Sequence, residues 1–277
     1  MELRLDRPSA AIGAVGGLTH VLLVVTLLSY FDYSPFVTST GLVFLSIGVF
    51  ILGALPLAVS AYTRLLLPSG GLLALAASVT VVEVTTPAPQ KVVELGGHAI
   101  IDGSFHALRY ADSWYLWLSI LLVAGLAEFA IRRGYAIGDD RLRHLPEFSL
   151  VRSRQWTVVA ACSIVVGTGT MVLLIDGTLW DTVPGYVVGF GAAAVATAVP
   201  FAALLARGLV SPVLLYSLVI TTHARAEAFS SPDGLAIVFL GFMAVVFAIV
   251  AVIEWLVRSR LFGWDGGRFV DSQSLSR

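Results

Sequence analysis

Eight apolar stretches, each about as long as a bilayer is thick, recur along this chain, and the arginines between them alternate sides. A membrane helix needs roughly 20 mostly apolar residues. The stretches at 9–30, 37–62, 66–85, 113–131, 156–176, 185–206, 208–223 and 235–257 meet or approach that length. In lipid every backbone N–H and C=O must be satisfied within the protein, so such stretches become helices. The expected fold class is all-α: a polytopic transmembrane helical bundle of eight spans, forming a single integral membrane domain over residues 1–277.

Composition supports the membrane class. Charged residues make up 13% of the chain, against about 25% in soluble domains. A formal net charge of −1 gives no general attraction to nucleic acid. The expected partner is the lipid bilayer, with a multi-pass location in the cell membrane; membrane-protein partners and a homo-oligomer stay open. Cys162 stands alone in an apolar stretch and reads as a small packing residue.

The charges set an orientation. With a cytoplasmic N-terminus, only Lys91, Arg109 and Arg225 of the 17 basic residues fall outside, leaving 14 inside. That asymmetry follows the positive-inside bias, and an even span count returns the C-terminus to the cytoplasm. Ala206-Arg207-Gly208 reads as a tight turn between the sixth and seventh spans. The rival count of seven would merge 185–223 into one broken element. Eight spans also permit two parallel sets of four, although the two halves share no convincing residue-level similarity.

The external loop, 86–112, is apolar enough to form a short helix on the outer end of the bundle. Trp114, Tyr115 and Trp117 then read as outer interfacial anchors, and Trp156 and Trp255 as inner ones. The cytoplasmic loop, 133–155, reads as a solvated connector. The polar tail beyond Arg260 is expected to be disordered.

Residues able to carry chemistry are few. Glu83 has no basic residue within a turn, which makes it the first candidate for a binding or proton-handling carboxylate. His20 lies near the middle of the first span, where polar groups turn toward protein; Thr19, Thr26 or a facing helix would satisfy it. Glu128 with Arg132, and Glu254 with Arg258, are spaced four apart and are explained by pairing on a helix surface.

His98, Asp102 and His106 are also spaced four apart. If 97–109 is helical they share one face, and His223 lies on the same side of the membrane. Two imidazoles and a carboxylate form a partial ligand set for a metal ion on the external side. Ordinary solvent-facing residues explain the same pattern. No phosphate-binding glycine loop, nucleophile elbow or zinc-protease signature occurs, so no catalytic residue can be assigned.

Three functional readings follow. The chain is a permease for a small solute, with a cavity near the third, sixth and seventh spans using Glu83, Thr85, Tyr216 and Ser217. Alternatively it is a structural or assembly subunit of a membrane complex. The third reading is a membrane enzyme or metal-binding protein with its site on the external face.

Overall fold

The computed structural model describes residues 6–31, 33, 39–87, 90–95, 98–102, 105–146, 152–175, 182–229, 235–266 and 269. They form an all-α bundle with one small hairpin. Three long helices open the chain: α1 (Arg7–Tyr30), α2 (Ser39–Thr63) and α3 (Leu67–Thr85). The antiparallel hairpin β1 (Gln90–Leu95) and β2 (His98–Asp102) follows, then the short α4 (His106–Asp112) and the central α5 (Trp114–Tyr135). The chain continues through α6 (Arg152–Ile175), α7 (Val183–Arg207), α8 (Ser211–Phe229) and α9 (Leu235–Phe262). Among the described residues seven helices are long and apolar enough to cross a membrane. The long helix outside that set is α8, which has 19 residues but carries Ser217, Thr221, Thr222, His223 and Arg225.

Local chemistry sets the helix starts. Asp6 accepts the Ser9 N–H at 3.2 Å ahead of α1, and Thr182 accepts the Gly185 N–H at 3.3 Å ahead of α7. Both are N-caps followed by proline in the first turn, where its missing N–H costs nothing. The third helix, α3, has no cap of its own. Glu128 on α5 reaches across and accepts the Leu66 and Leu67 N–H groups, each at 2.7 Å. Glu254 on α9 serves α8 in the same way, accepting from Val210 at 3.2 Å and Ser211 at 2.8 Å. Arg132 and Arg258 hold these carboxylates at 3.1 and 2.7 Å. The expected pairs are therefore present, and their acids also satisfy orphan N–H groups of another helix, where the helix dipole favours negative charge.

These two caps belong to a larger correspondence. Helices α2 and α7 begin at 39 and 183 and end at 63 and 207, a spacing of 144 in each case. Helices α3 and α8 begin at 67 and 211 and end at 85 and 229, again 144 apart. Pro56 and Pro200 inside the second helices keep that spacing, as do Pro68 and Pro212 in the third. Both turns pass through a left-handed residue, Arg64 at φ 61° and Gly208 at φ 68°. The packing order repeats too. Helix α1 lies along α2, which meets α3 and α5; α6 lies along α7, which meets α8 and α9. A Cβ on Gly17 of α1 would come within 2.7 Å of the Phe50 ring on α2, and one on Gly167 of α6 within 2.9 Å of Phe190 on α7. The helices thus fall into two sets of four, α1, α2, α3 and α5 against α6, α7, α8 and α9, that match in order and nearly in spacing.

Several expectations need correction. Residues 97–109 are not one helix: 98–102 is a strand and helix begins only at His106. A strand separates residues four apart by about 13 Å, so His98 and Asp102 do not share a helical turn. Trp117 is not an outer anchor. It is buried, and its indole N–H donates to the Ser113 hydroxyl at 2.8 Å. The reason is that α4 sits inside the bundle, against α1, α2, α3 and α8, with Ala107, Tyr110 and Ala111 buried. Trp114 likewise packs on bare Gly48 of α2.

Trp156 and Trp255 are exposed. The segment beyond Arg260 is not wholly free: Phe269 is buried, and Trp264 donates to the Arg207 carbonyl at 3.1 Å. Nor is the connector after α5 merely solvated. Leu142 packs with Leu65 and Phe129, and His144 stacks on Tyr62 at 4.2 Å between ring centroids.

Candidate functional site: a cleft between the two halves

A cavity of about 880 Å³ lies between α3 and α8, the corresponding third helices of the two halves. Helix α5 forms its floor, through Trp117, Leu121, Ala124 and Ala127, and Phe201 of α7 closes one side. Helix α3 contributes Leu67, Gly71, Ala74, Ser78 and Val82, and α8 contributes Tyr216, Ser217, Ile220, Thr221 and Arg225. The spacings are three and four along α3, and one, three and four along α8, each marking one face of a 3.6-residue helix. From Leu67 to Val82 that face extends about 22 Å at 1.5 Å per residue. Ala74, Ser78, Ser217 and Thr221 are exposed, so the cleft is open along its length.

Its two ends differ chemically. Toward the Glu128 and Glu254 caps the wall is Leu67, Gly71, Ala127 and Phe201. Toward α4 it gathers His106, Thr221, Thr222 and Arg225. Arg225 is exposed and forms no ion pair among the described residues. Tyr216 is fixed in the wall: its hydroxyl lies 2.9 Å from that of Thr197, and its ring stands edge-on to Phe201 and Phe247. The site is an apolar trough with one polar, cationic end.

Of the residues expected to line a permease cavity, Tyr216 and Ser217 do so. Glu83 and Thr85 face elsewhere. Glu83 is buried and accepts hydrogen bonds from the Tyr33 hydroxyl and from the Ala107 N–H, the latter at 2.6 Å. It thereby ties α3 to the inserted α4. Burial and the adjacent carboxylate push the Tyr33 phenol up, which keeps it a donor. The Thr85 hydroxyl bonds back to Val81 at 2.7 Å.

His20 also serves α4. Its Nε2 lies 2.9 Å from the Tyr110 hydroxyl, with the rings stacked at 5.7 Å. The facing partner is thus the inserted helix, and not Thr19, whose hydroxyl bonds Val15.

The metal candidates are dispersed in what can be described. His106 lines the cleft, whereas His223 lines a separate small space beside Leu116, Thr170 and Leu173, its Nδ1 2.9 Å from the Val219 carbonyl. The side chains of His98 and Asp102 lie outside the described residues. Among the described residues no group of three or more His, Cys, Asp and Glu side chains is placed to hold a metal ion.

Sequence reasoning assigned no site role to Ser78, Trp117, Thr221, Thr222 or Arg225. A signal existed: Ser217, Thr221 and Arg225 are spaced four apart in the least apolar of the long helices, and such a polar stripe has to face something other than lipid. No protein-family model, no curated protein and no solved structure matches the chain.

Proposed function

We propose that this chain is a membrane permease whose solute binds in the cleft between α3 and α8. The observation that carries the reading is the position of the cavity, between the matching third helices of two like halves. In transporters built from repeats the substrate site lies at the repeat interface, and rocking of one repeat against the other opens it to alternate sides. A volume of about 880 Å³ suits a small-molecule site, for which about 300–1,000 Å³ is usual. The positive-inside bias of the basic residues supports an orientation with the Glu128 and Glu254 caps at the cytoplasmic end and the Arg225 end outside.

The test uses thiol accessibility. Buried Cys162 is replaced by alanine, and Ser78→Cys and Ser217→Cys are introduced singly into protein reconstituted in sealed vesicles. Ser78 lies about 16 Å along α3 from Leu67, well inside the hydrocarbon. A membrane-impermeant maleimide is expected to modify both positions from at least one side, but not Leu73→Cys on the outward face of α3. Absence of reaction at both serine positions from both sides would overturn the permease reading.

A further inference from the structure

Resting on that reading, we infer that the solute is an anionic amphiphile, entering the cleft sideways from the bilayer with its charged head at Arg225 and its chain along α3. Three features of the cleft point to this class. Its length, about 22 Å at 1.5 Å per residue, is most of the roughly 30 Å hydrocarbon thickness, so it matches a lipid chain and not a compact solute. Its α3 wall from Leu67 to Val82 is apolar except for Ser78, whose hydroxyl is spent on the Ala74 carbonyl, so a sugar or an inorganic ion would leave most of its hydrogen bonds unmet there. Ser78 and Ser217 in its middle bond back to the Ala74 and Val213 carbonyls of their own helices, and the other polar groups gather at one end, where Thr222 supplies a hydroxyl beside that of Thr221 and Arg225 supplies a guanidinium with no ion-pair partner among the described residues. A guanidinium pairs with a phosphate or carboxylate through two parallel hydrogen bonds.

The route of entry follows from the walls. Helices α3 and α8 do not pack extensively on each other, and the residues beside the opening, Leu73 and Val81 on α3 and Leu214 and Leu218 on α8, are exposed and apolar. A chain can therefore slide in from lipid without crossing a polar barrier. A cationic amphiphile would meet Arg225 with like charge, and a neutral one would offer its guanidinium no ion pair.

The experiment measures equilibrium binding of radiolabelled dodecyl phosphate and of neutral dodecanol to the full-length protein in phosphatidylcholine nanodiscs, with empty discs subtracted. Wild type is expected to bind dodecyl phosphate saturably and in preference to dodecanol. Arg225→Gln should weaken dodecyl phosphate roughly tenfold, the loss of one charge-assisted contact, and leave dodecanol unchanged. Ala124→Phe, which fills the floor, should abolish saturable binding of both.

Equal affinity for dodecanol, or an unaffected Arg225→Gln variant, would overturn the assignment. So would displacement by inorganic phosphate at the same concentration, which would make the ligand a soluble anion. Competition from phosphatidylglycerol in the disc would support it and identify the bilayer as the source. Reactive Ser78→Cys and Ser217→Cys without dodecyl phosphate binding would sink this substrate class and leave the permease standing. Binding in a cleft whose cysteines never react would do the reverse.

Discussion

The turn between α2 and α3 and the turn between α7 and α8 have the same backbone course but are held by different parts of the chain. Both pass through a left-handed residue, bury the leucine that follows (Leu65 and Leu209), and reach a proline a few residues later. In the first, the left-handed residue is Arg64, and the connector after α5 covers the turn with Leu142. In the second it is Gly208, whose missing side chain leaves room for Phe269 from the C-terminal segment. Tyr135 donates to the Gly208 carbonyl there, and Arg258 lies over both the Tyr135 and Trp264 rings. What the two turns share is a carboxylate supplied by another helix, and that shared element is what keeps the third helices in matching positions on either side of the cleft.

Removing the shared element should have the largest effect. Glu128→Ala strips the acceptor from the Leu66 and Leu67 N–H groups and leaves Arg132 without its acid; a loss of about 3 kcal/mol is expected, as when one partner of a buried pair is removed. Glu254→Ala, with longer contacts to Val210 and Ser211, should lose somewhat less, about 2 kcal/mol. Midpoints of unfolding in mixed micelles check both. Equal and negligible losses would mean that the turns hold themselves.

The element unique to the second turn comes next. Gly208→Ala combines a left-handed backbone, costing roughly 1–2 kcal/mol for a residue with a Cβ, with a steric conflict against Phe269. The same substitution in a Phe269→Ala background should cost only the backbone share, about 1 kcal/mol. An unchanged cost in that background would place Phe269 away from the turn.

The smallest effect is expected at the first turn. Arg64→Gly relieves the left-handed strain but adds glycine's entropy cost, for a net gain of roughly 0.5 kcal/mol. A net loss would show that the Arg64 side chain contributes to the turn beyond its backbone.

The far end of the bundle marks the other difference between the halves. Between α8 and α9 the chain needs only residues 230–234, whereas between α3 and α5 it builds a hairpin and the buried α4. Two residues read as candidates from the sequence, Glu83 and His20, turn out to serve that insertion. Glu83 and Tyr33 hold the start of α4, and His20 holds its Tyr110. The insertion in turn delivers His106 to the polar end of the cleft. An intramembrane acid and an intramembrane histidine were legible as unusual, because polar side chains in a span must face protein. That their partner is a segment expected on the surface was not legible, since α4 is too short for periodicity to show its buried face.

Hydropathy by itself determined the all-α bundle and the places where its long helices run, because a 20-residue apolar stretch has one stable form in lipid. Ala206-Arg207-Gly208 likewise marked the turn separating α7 from α8, a local matter of backbone conformation. Only the tertiary structure decided that the halves correspond, that Glu128 and Glu254 cap helices distant in sequence, and that α3 and α8 stand apart to leave a cleft. The caps rest on contacts between residues 44 and 62 positions apart, where packing geometry and unsatisfied backbone groups, and not local pattern, select the arrangement.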